Sequence, residues 1–229
     1  MVGSVADSAV AARFCRLYGG VVFDAMRFDL DVSEPFVVDP AIGPARGQPA
    51  DVVIAGPAFT CAGTRVAEPE DIDDLLRLRM LDAMTPGCVQ VLTTGSDSSC
   101  AHYGDISGRL AALHGAVGAV IDGYTRDARR LALDGFPTFC RGVMPVDAYG
   151  RWQVVRYQED EVLPGVDGDV PIAPGDWVFA DADGVLRIRG SDVRRVLEAA
   201  EDRDRREQTV RCRLHEMPAT QLYEELGRW

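Results

Sequence analysis

Residues 104–127 read GDISGRLAALHGAVGAVIDGYTRD, and the fold turns on this stretch. Gly104-Asp105-Ile106-Ser107 has the form of a loop entering a helix, with Asp105 placed to cap it and Leu110, Leu113 and Val117 at helical spacing. Ser107, Gly108, Ala111, Ala112 and Gly115 carry little side chain, so the helix can lie close against a sheet or leave room for a ligand. Val117 to Ile121 is a short apolar run, as expected of a strand buried on both faces, closed by the turn pair Asp122-Gly123. Arg126 and Asp127 follow just past the carboxyl end of that strand, where open α/β sheets hold their ligands. The loops at Asp105 and at Arg126-Asp127 are therefore expected to face one pocket.

Upstream, residues 5–18 read as a helix ending at Gly19-Gly20, and a second short helix carries Val22, Phe23 and Met26. A loop rich in proline and glycine, Phe36 to Ala50, leads to a strand from Asp51 to Ala55, which Gly56-Pro57 is expected to break before Ala58 to Cys61. Residues 69–84 predict a helix, with Ile72, Leu76, Met80 and Met84 in an i+4 stripe and acids in the first turn. Cys88 to Thr93 reads as a strand and Thr94 to His102 as a polar loop. Downstream, a helix from Asp127 to Leu133 and a strand from Thr138 to Arg141 extend a strand-helix alternation consistent with parallel pairing. After Gly150 the pattern changes to short strands, Trp152 to Tyr157, Val170 to Ile172, Trp177 to Ala180 and Val185 to Ile188, which predict antiparallel hairpins. Asp181-Ala182-Asp183-Gly184 starts like a calcium loop but lacks the remaining ligands and reads as a hairpin turn. Asp192 to Leu214 is a helix charged except at Val193, Val196, Leu197 and Ala200, a type that often lies across a neighbouring subunit.

A chain of 229 residues is long enough to bury a sizeable core, and no low-complexity linker divides it, so one domain is expected. A net charge of -12 argues against a nucleic-acid surface but not against a small anionic substrate, because the potential inside a cleft is set locally. The six cysteines form no CxxC pair and follow no secretory leader, and no apolar run is of membrane-spanning length. Buried thiols in a cytoplasmic protein are expected. All 24 basic residues are arginine. The absence of lysine rules out a Schiff base, hence class I aldolase or pyridoxal-phosphate chemistry, and also the P-loop lysine. Carbon-carbon chemistry on a keto acid would then need another electron sink, most simply a divalent metal.

The residues themselves leave roles open. Asp127 reads either as a carboxylate facing a helix dipole or as a metal ligand, and Arg126 either as a surface cation or as a bidentate partner for a carboxylate. Gly104 to Ser107 is a capped helix start whose free amides also suit an anion. His102 and His114 read as structural. Ser98, Ser99, Cys100 and His102 suggest a nucleophile and base, but no G-x-S-x-G elbow or third partner is visible.

The phrase VIDG followed by Arg-Asp, together with FDAM at 23–26, AGPAFT at 55–60, GFPTF at 135–139 and PGDWVFADADGV at 174–185, resembles the family of 4-hydroxy-4-methyl-2-oxoglutarate aldolases and their relatives, the regulators of ribonuclease activity A (RraA). The resemblance implies an α/β, compact β/β/α swivelling-type (RraA-like) fold, with a central mixed sheet flanked by helices and a C-terminal helical tail. It implies one domain over 1–229, with N-terminal helices in 1–30 and the tail in 190–229, assembled as homotrimers or hexamers with the site near a subunit interface. The implied activity is that of a divalent-metal-dependent lyase, a class II aldolase or decarboxylase, that cleaves a 2-oxo acid through a metal-stabilised pyruvate-type enolate, with oxaloacetate decarboxylation as a side activity. In that scheme Asp127 holds Mg2+ or Mn2+, Arg126 binds substrate and stabilises charge, Gly104 and the amides of Ile106 and Ser107 hold the substrate carboxylate, and Asp105 orients metal-bound water or moves a proton. The alternatives are a non-catalytic regulator that binds a ribonuclease, or a pathway enzyme that reuses the metal site on another substrate. One departure stands out: Arg130 occupies a position, three after Asp127, where the family often has an acid. A further carboxylate from a neighbouring subunit is expected, from Glu201 or Glu207.

Overall fold

A computed structural model describes residues 5–67 and 73–227. Ile72 and the start of the helix expected over 69–84 lie outside the described residues, as do 1–4 and 228–229 of the two terminal segments. The elements run α1 (Val5–Phe14), α2 (Gly19–Asp24), β1 (Gly43–Pro44), β2 (Ile54–Arg65), α3 (Asp74–Asp82), β3 (Val89–Thr93), β4 (Ala101–Tyr103), α4 (Asp105–Leu113), β5 (Gly118–Thr125), α5 (Ala128–Leu133) and β6 (Thr138–Val143). They continue with β7 (Trp152–Tyr157), β8 (Glu161–Leu163), β9 (Val170–Ile172), β10 (Trp177–Asp181), β11 (Gly184–Ile188), α6 (Val193–Arg213) and α7 (Ala219–Leu226).

Nine strands form one mixed sheet in the order β1-β6-β5-β3-β2-β10-β11, with β4 beside β5 and β7 beside β2. β2, β3, β5 and β6 pair in parallel through the crossovers α3, α4 and α5, and the remaining pairs, apart from the parallel β4–β5, are antiparallel. The chain from Phe36 to Ala45 joins the two ends of the sheet. Arg187 N–H donates to Phe36 O (2.9 Å) and Val38 N–H to Val185 O (3.0 Å) on β11, while Ala45 N–H donates to Thr138 O (2.8 Å) on β6. The sheet is thereby a nearly closed barrel, which leaves few unpaired strand edges.

Side chains alternate across this sheet with the period of two that a pleated strand imposes. Val89, Val91, Val120 and Phe139 point to the barrel interior, and Phe59, Leu92 and Ile121 point outward beneath the crossover helices. A third cluster joins Phe14 of α1 and Val21 and Val22 of α2 to Trp177 and Phe179 of β10 and Val196 and Leu197 of α6. The charged helix α6 thus spends its apolar stripe on its own chain. Arg203, 8% exposed, binds both carboxylate oxygens of Asp29 (2.8 and 2.9 Å) on the inner face of that helix.

Several expectations need correction. Gly56-Pro57 does not break the strand, because β2 changes partners there: Ile54 to Pro57 pair with β10, and Ala58 to Ala62 pair with β3. Gly56 is required by a close approach, since a Cβ on it would run into the Gly87 carbonyl oxygen. Asp122-Gly123 does not end β5 either. The Asp122 carboxylate accepts from Ser96 N–H (2.8 Å) and Arg141 Nε (2.7 Å), so a buried acid is satisfied and the strand continues to Thr125. Gly19-Gly20 open α2 rather than close α1, with Gly19 N–H bound to Asp181 Oδ2 (2.6 Å) from the β10–β11 hairpin. β1 and most of β4 lie in stretches expected to be loop, β8 lies where no element was expected, and Leu113 is exposed. Cys15 and Cys212 are exposed while the other four cysteines are buried, and burial pushes the Cys61 thiol up to about 12 and Cys140 to about 11.

Gly56→Ala is expected to destabilise the protein by about 1–3 kcal/mol, because the obstructing atom is backbone and cannot swing away. Urea unfolding followed by circular dichroism measures this, and an unchanged midpoint would show that β2 and β3 have room to spare.

Candidate functional site

β4 and β5 run parallel, so the chain leaves both at the same edge of the sheet. Arg126 N–H donates to Tyr103 O (2.9 Å) and Thr125 Oγ1 donates to the same oxygen (3.1 Å), tying the two exits together. One exit turns into α4. Its opening amides, from Asp105, Ile106 and Ser107, have no acceptor within the helix by the geometry of any helix start, and the first internal bond runs from Gly108 N–H to Gly104 O (3.1 Å). The other exit delivers Arg126 and Asp127.

Asp127 sits in the left-handed region (φ 58°, ψ 26°) at the head of α5, and its side chain makes no capping bond. For a residue with a Cβ that conformation carries strain, and the usual N-cap return is missing. The carboxylate lies instead against the bare Cα of Gly104, where an added Cβ would come within 2.9 Å of Asp127 Oδ2. Arg126 Nε is 3.5 Å from Asp127 Oδ2 and its Nη1 is 3.6 Å from Asp147 Oδ2. Those separations give Coulombic attraction without a good hydrogen bond, so the guanidinium keeps donors for a ligand. All six residues singled out from the sequence, Gly104, Asp105, Ile106, Ser107, Arg126 and Asp127, line one cleft of about 270 Å³.

The same cleft takes residues that the local sequence did not single out. Asp147 comes from the β6–β7 connection, Arg77 from α3 and Trp152 from β7, and none stands in a recognisable pattern because each arrives by tertiary packing. Arg130 is exposed on α5 and does not line the cleft. Glu201 and Glu207 both have partners in their own chain: Glu201 is bound by Arg13 Nε (2.8 Å) and Nη2 (2.6 Å), and Glu207 by Tyr18 and Arg211.

Behind the cleft wall lies a buried acid-imidazole pair. His102 Nε2 is 2.9 Å from Asp97 Oδ2, and Tyr124 N–H donates to His102 Nδ1 (3.3 Å). An acceptor at Nδ1 places the proton of the neutral ring on Nε2, which therefore donates to Asp97. Asp97, Cys100 and His102 lie close enough to suggest a metal site. A protonated Nε2 cannot ligate, and Arg65 Nε already binds Asp97 (2.6 Å), so this group is a structural network. Ser99 Oγ donates to Asp97 (2.7 Å) and not to the histidine, which removes the serine-histidine reading. Burial depresses the His102 pKa. Burial raises that of Asp97, but hydrogen bonds from Ser99, Arg65 and His102 outweigh it and hold the carboxyl at about 2.

The fold and the shared βα-loop cleft define an α/β protein of the swivelling type that presents a small cleft at the carboxyl edge of its parallel strands. Residues 22–187 match the family model described as "RraA-like: Aldolase/RraA", and the chain belongs to that family. A relative from Halalkalibacterium halodurans is 33% identical over 147 residues, covering 64% of this chain and 65% of that protein. One from Xanthomonas campestris pv. campestris (strain B100) is 34% identical over 144 residues, covering 59% and 83%. Both carry the name "Putative 4-hydroxy-4-methyl-2-oxoglutarate aldolase". The match to the first spans slightly under two thirds of that relative's length. The crystal structure of Streptomyces coelicolor RraAS2, described as an unusual member of the RNase ES inhibitor RraA protein family, superposes with a TM-score of 0.74 at 24% identity over 90% of this chain and 98% of that one, which supports the fold. Among the described residues no helix is long and apolar enough to cross a membrane.

Acidification is expected to lower stability in two stages. A depressed imidazole pKa means that the fold resists protonating His102, so stability declines as the pH drops below about 6.5, the ordinary value. The Asp97 contribution is complete above about 3.8 and is lost as the pH falls from there through about 2. Thermal melts across this range should show both stages, and Asp97→Asn should shrink the second, to which Asp29, Asp39 and Glu201, also held low by arginine partners, contribute as well; an identical acid limb in the variant would contradict the assignment.

Proposed function

We propose that this chain is a divalent-metal-dependent lyase, of the class II aldolase or decarboxylase type, that cleaves a carbon-carbon bond of a 2-oxo acid. The observation that carries the reading is the meeting of Arg126, an uncapped Asp127 and the free amides at the head of α4 in one small cleft. Asp127 and Asp105 offer carboxylate oxygens of the kind that hard cations such as Mg2+ or Mn2+ accept, and Asp127 is held with its side chain off the helix and against Gly104, a place that a larger residue would fill. These residues fit such an ion, with Asp127 as the ligand and Asp105 beside it. When bound, the ion would serve as the electron sink for the charge released by bond cleavage.

The chain's own residues account for the remaining tasks. Arg126 binds the substrate carboxylate through its fork of donors, and the amides of Ile106 and Ser107 donate to the same anion at a positive helix end. Asp105, on the first turn of α4, takes the proton from the C4 hydroxyl through a water as the bond breaks. The lack of lysine, which forbids an imine route, and the relatives' aldolase name both support this chemistry. Assembly as a cytoplasmic homotrimer or hexamer belongs to the same reading; Leu113 and Leu133, 81% and 74% exposed at the ends of α4 and α5, offer apolar surface for it. Arg130 in place of an acid favours the second reading, a regulator that binds a protein partner and needs no metal.

Pyruvate release from 4-hydroxy-4-methyl-2-oxoglutarate and from oxaloacetate, with Mg2+ or Mn2+ and with chelator, separates the two. Arg126→Ala is expected to lower turnover roughly a hundred- to thousandfold at unchanged melting temperature. Asp127→Asn, which tolerates the left-handed backbone, should do the same and also weaken Mn2+ binding in calorimetry. Metal-independent release, or wild-type turnover in either variant, would end the lyase assignment.

A further inference from the structure

Arg126 and Asp127 are neighbours in the chain and carry opposite charges, yet they do not close on each other: the nearest approach is Nε to Oδ2 at 3.5 Å. Several other arginines of the protein close fully on a carboxylate, as Arg109 does on Asp134 (2.7 Å), Arg156 on Glu161 (2.6 Å) and Arg141 on Asp122 (2.7 Å). Among the described residues no hydrogen bond reaches the Asp127 side chain.

What differs at Arg126 is a second acid. Asp147 Oδ2 stands 3.6 Å from Nη1, so two carboxylates address the guanidinium through different nitrogens at nearly equal distances. Coulombic attraction scales with the inverse of the separation, and here neither pull prevails. With one acid removed, the guanidinium can close on the other to the hydrogen-bonding range of about 2.7–3.2 Å. Asp147 itself is held in place. On one side, Val146 O accepts from Ala101 N–H (2.8 Å) of β4, and Met144 N–H donates to Thr125 O (3.0 Å) of β5. On the other, Ala148 O accepts from Arg151 N–H (2.9 Å) and Trp152 N–H (3.0 Å). The acid is thereby fixed to the two strands that deliver Gly104 and Arg126. It repels a substrate carboxylate, so its benefit falls on the cationic side of the site.

We propose that Asp147 is a positioning residue that draws the Arg126 guanidinium off Asp127 and so keeps the Asp127 carboxylate open to a divalent cation. The inference rests on the metal role proposed for Asp127. An arginine closed on that carboxylate would occupy its oxygen and set a like charge beside the place of the ion. Held back by Asp147, Arg126 leaves the oxygen accessible and still lines the cleft. Asp127 and Asp147 are exposed, so water screens these attractions and the effect is severalfold.

Titration with Mn2+ by calorimetry, without substrate, in the wild type, Asp147→Asn, Arg126→Gln and the double variant tests this as a thermodynamic cycle. Asp147→Asn should weaken Mn2+ binding roughly three- to fivefold while Arg126 is present. In the Arg126→Gln background the same change should cost less than about twofold, because no guanidinium remains to fall onto Asp127. An equal loss in both backgrounds would overturn the proposal and mark Asp147 as a direct ligand or a plain source of negative potential. Unchanged affinity in Asp147→Asn would overturn it too. The coupled loss, found in a protein that cleaves no carbon-carbon bond, would uphold the positioning role and sink the lyase reading. Failure of the wild type to bind Mn2+ would overturn both.

Discussion

Parallel pairing of β4 with β5 is the constraint on which the site depends. Two strands that run the same way end at the same edge, so the short β4 delivers Gly104 and α4 next to the point where β5 releases Arg126 and Asp127. An antiparallel neighbour would have sent one of these loops to the opposite end of the barrel. The segment between β3 and β4 makes this pairing possible. Asp97 in that segment grips Arg65 of β2 and His102 of β4, while Ser96 binds the Asp122 carboxylate of β5, itself clamped by Arg141 of β6. Four strands are thus referenced to one loop, with each buried charge hydrogen-bonded, as its burial requires.

The charge distribution follows a different logic from the net total of -12. Most of the arginines that the fold uses are spent in close bidentate or networked pairs: Arg13 with Glu201, Arg109 with Asp134, Arg156 with Glu161, Arg187 with Asp176 and Glu34, and Arg203 with Asp29. Such pairs satisfy both partners and leave little field outside. Arg126 is different, with its two carboxylate neighbours at 3.5 and 3.6 Å, too far to quench its donors. Five aspartates, Asp73, Asp74, Asp105, Asp127 and Asp147, line the same cleft, so any pull of Arg126 on a small anion would act at short range through its own donors and not through the net charge of the cleft or of the protein.

Legibility in the sequence tracked how local each feature is. The crossover α4, the turn into it and the Arg126-Asp127 pair are contiguous, so periodicity and family phrases found them together. Their convergence on one cleft followed from a rule about parallel strands. The passage of β2 through Gly56-Pro57 was not legible, because the signal that normally ends a strand here marks a change of hydrogen-bonding partner. β4 was hidden for another reason: three residues in a polar stretch carry no period, and only Tyr103 and its neighbours packing onto β5 make them a strand. Asp97 looked like an ordinary loop acid until Arg65, Ser99 and His102, drawn from separate segments, met on it. Arg77 and Asp147 belong to the same class, since their significance lies in what faces them across space.

The course of β2 also bears on how the chain reaches this state. Its first half pairs Pro57 with Trp177, so the strand at the middle of the sheet is completed only by a segment made much later in synthesis. At ~5–20 residues per second, on the order of ten seconds separate the emergence of these two partners. During that interval the parallel unit can assemble on one side of β2, while its other edge stays open. Pairings this remote in sequence form slowly, because the closure entropy is met before the contacts that repay it. The nascent protein is then most vulnerable to edge-to-edge association at Ile54 to Pro57, and the arrival of β10 removes that exposure.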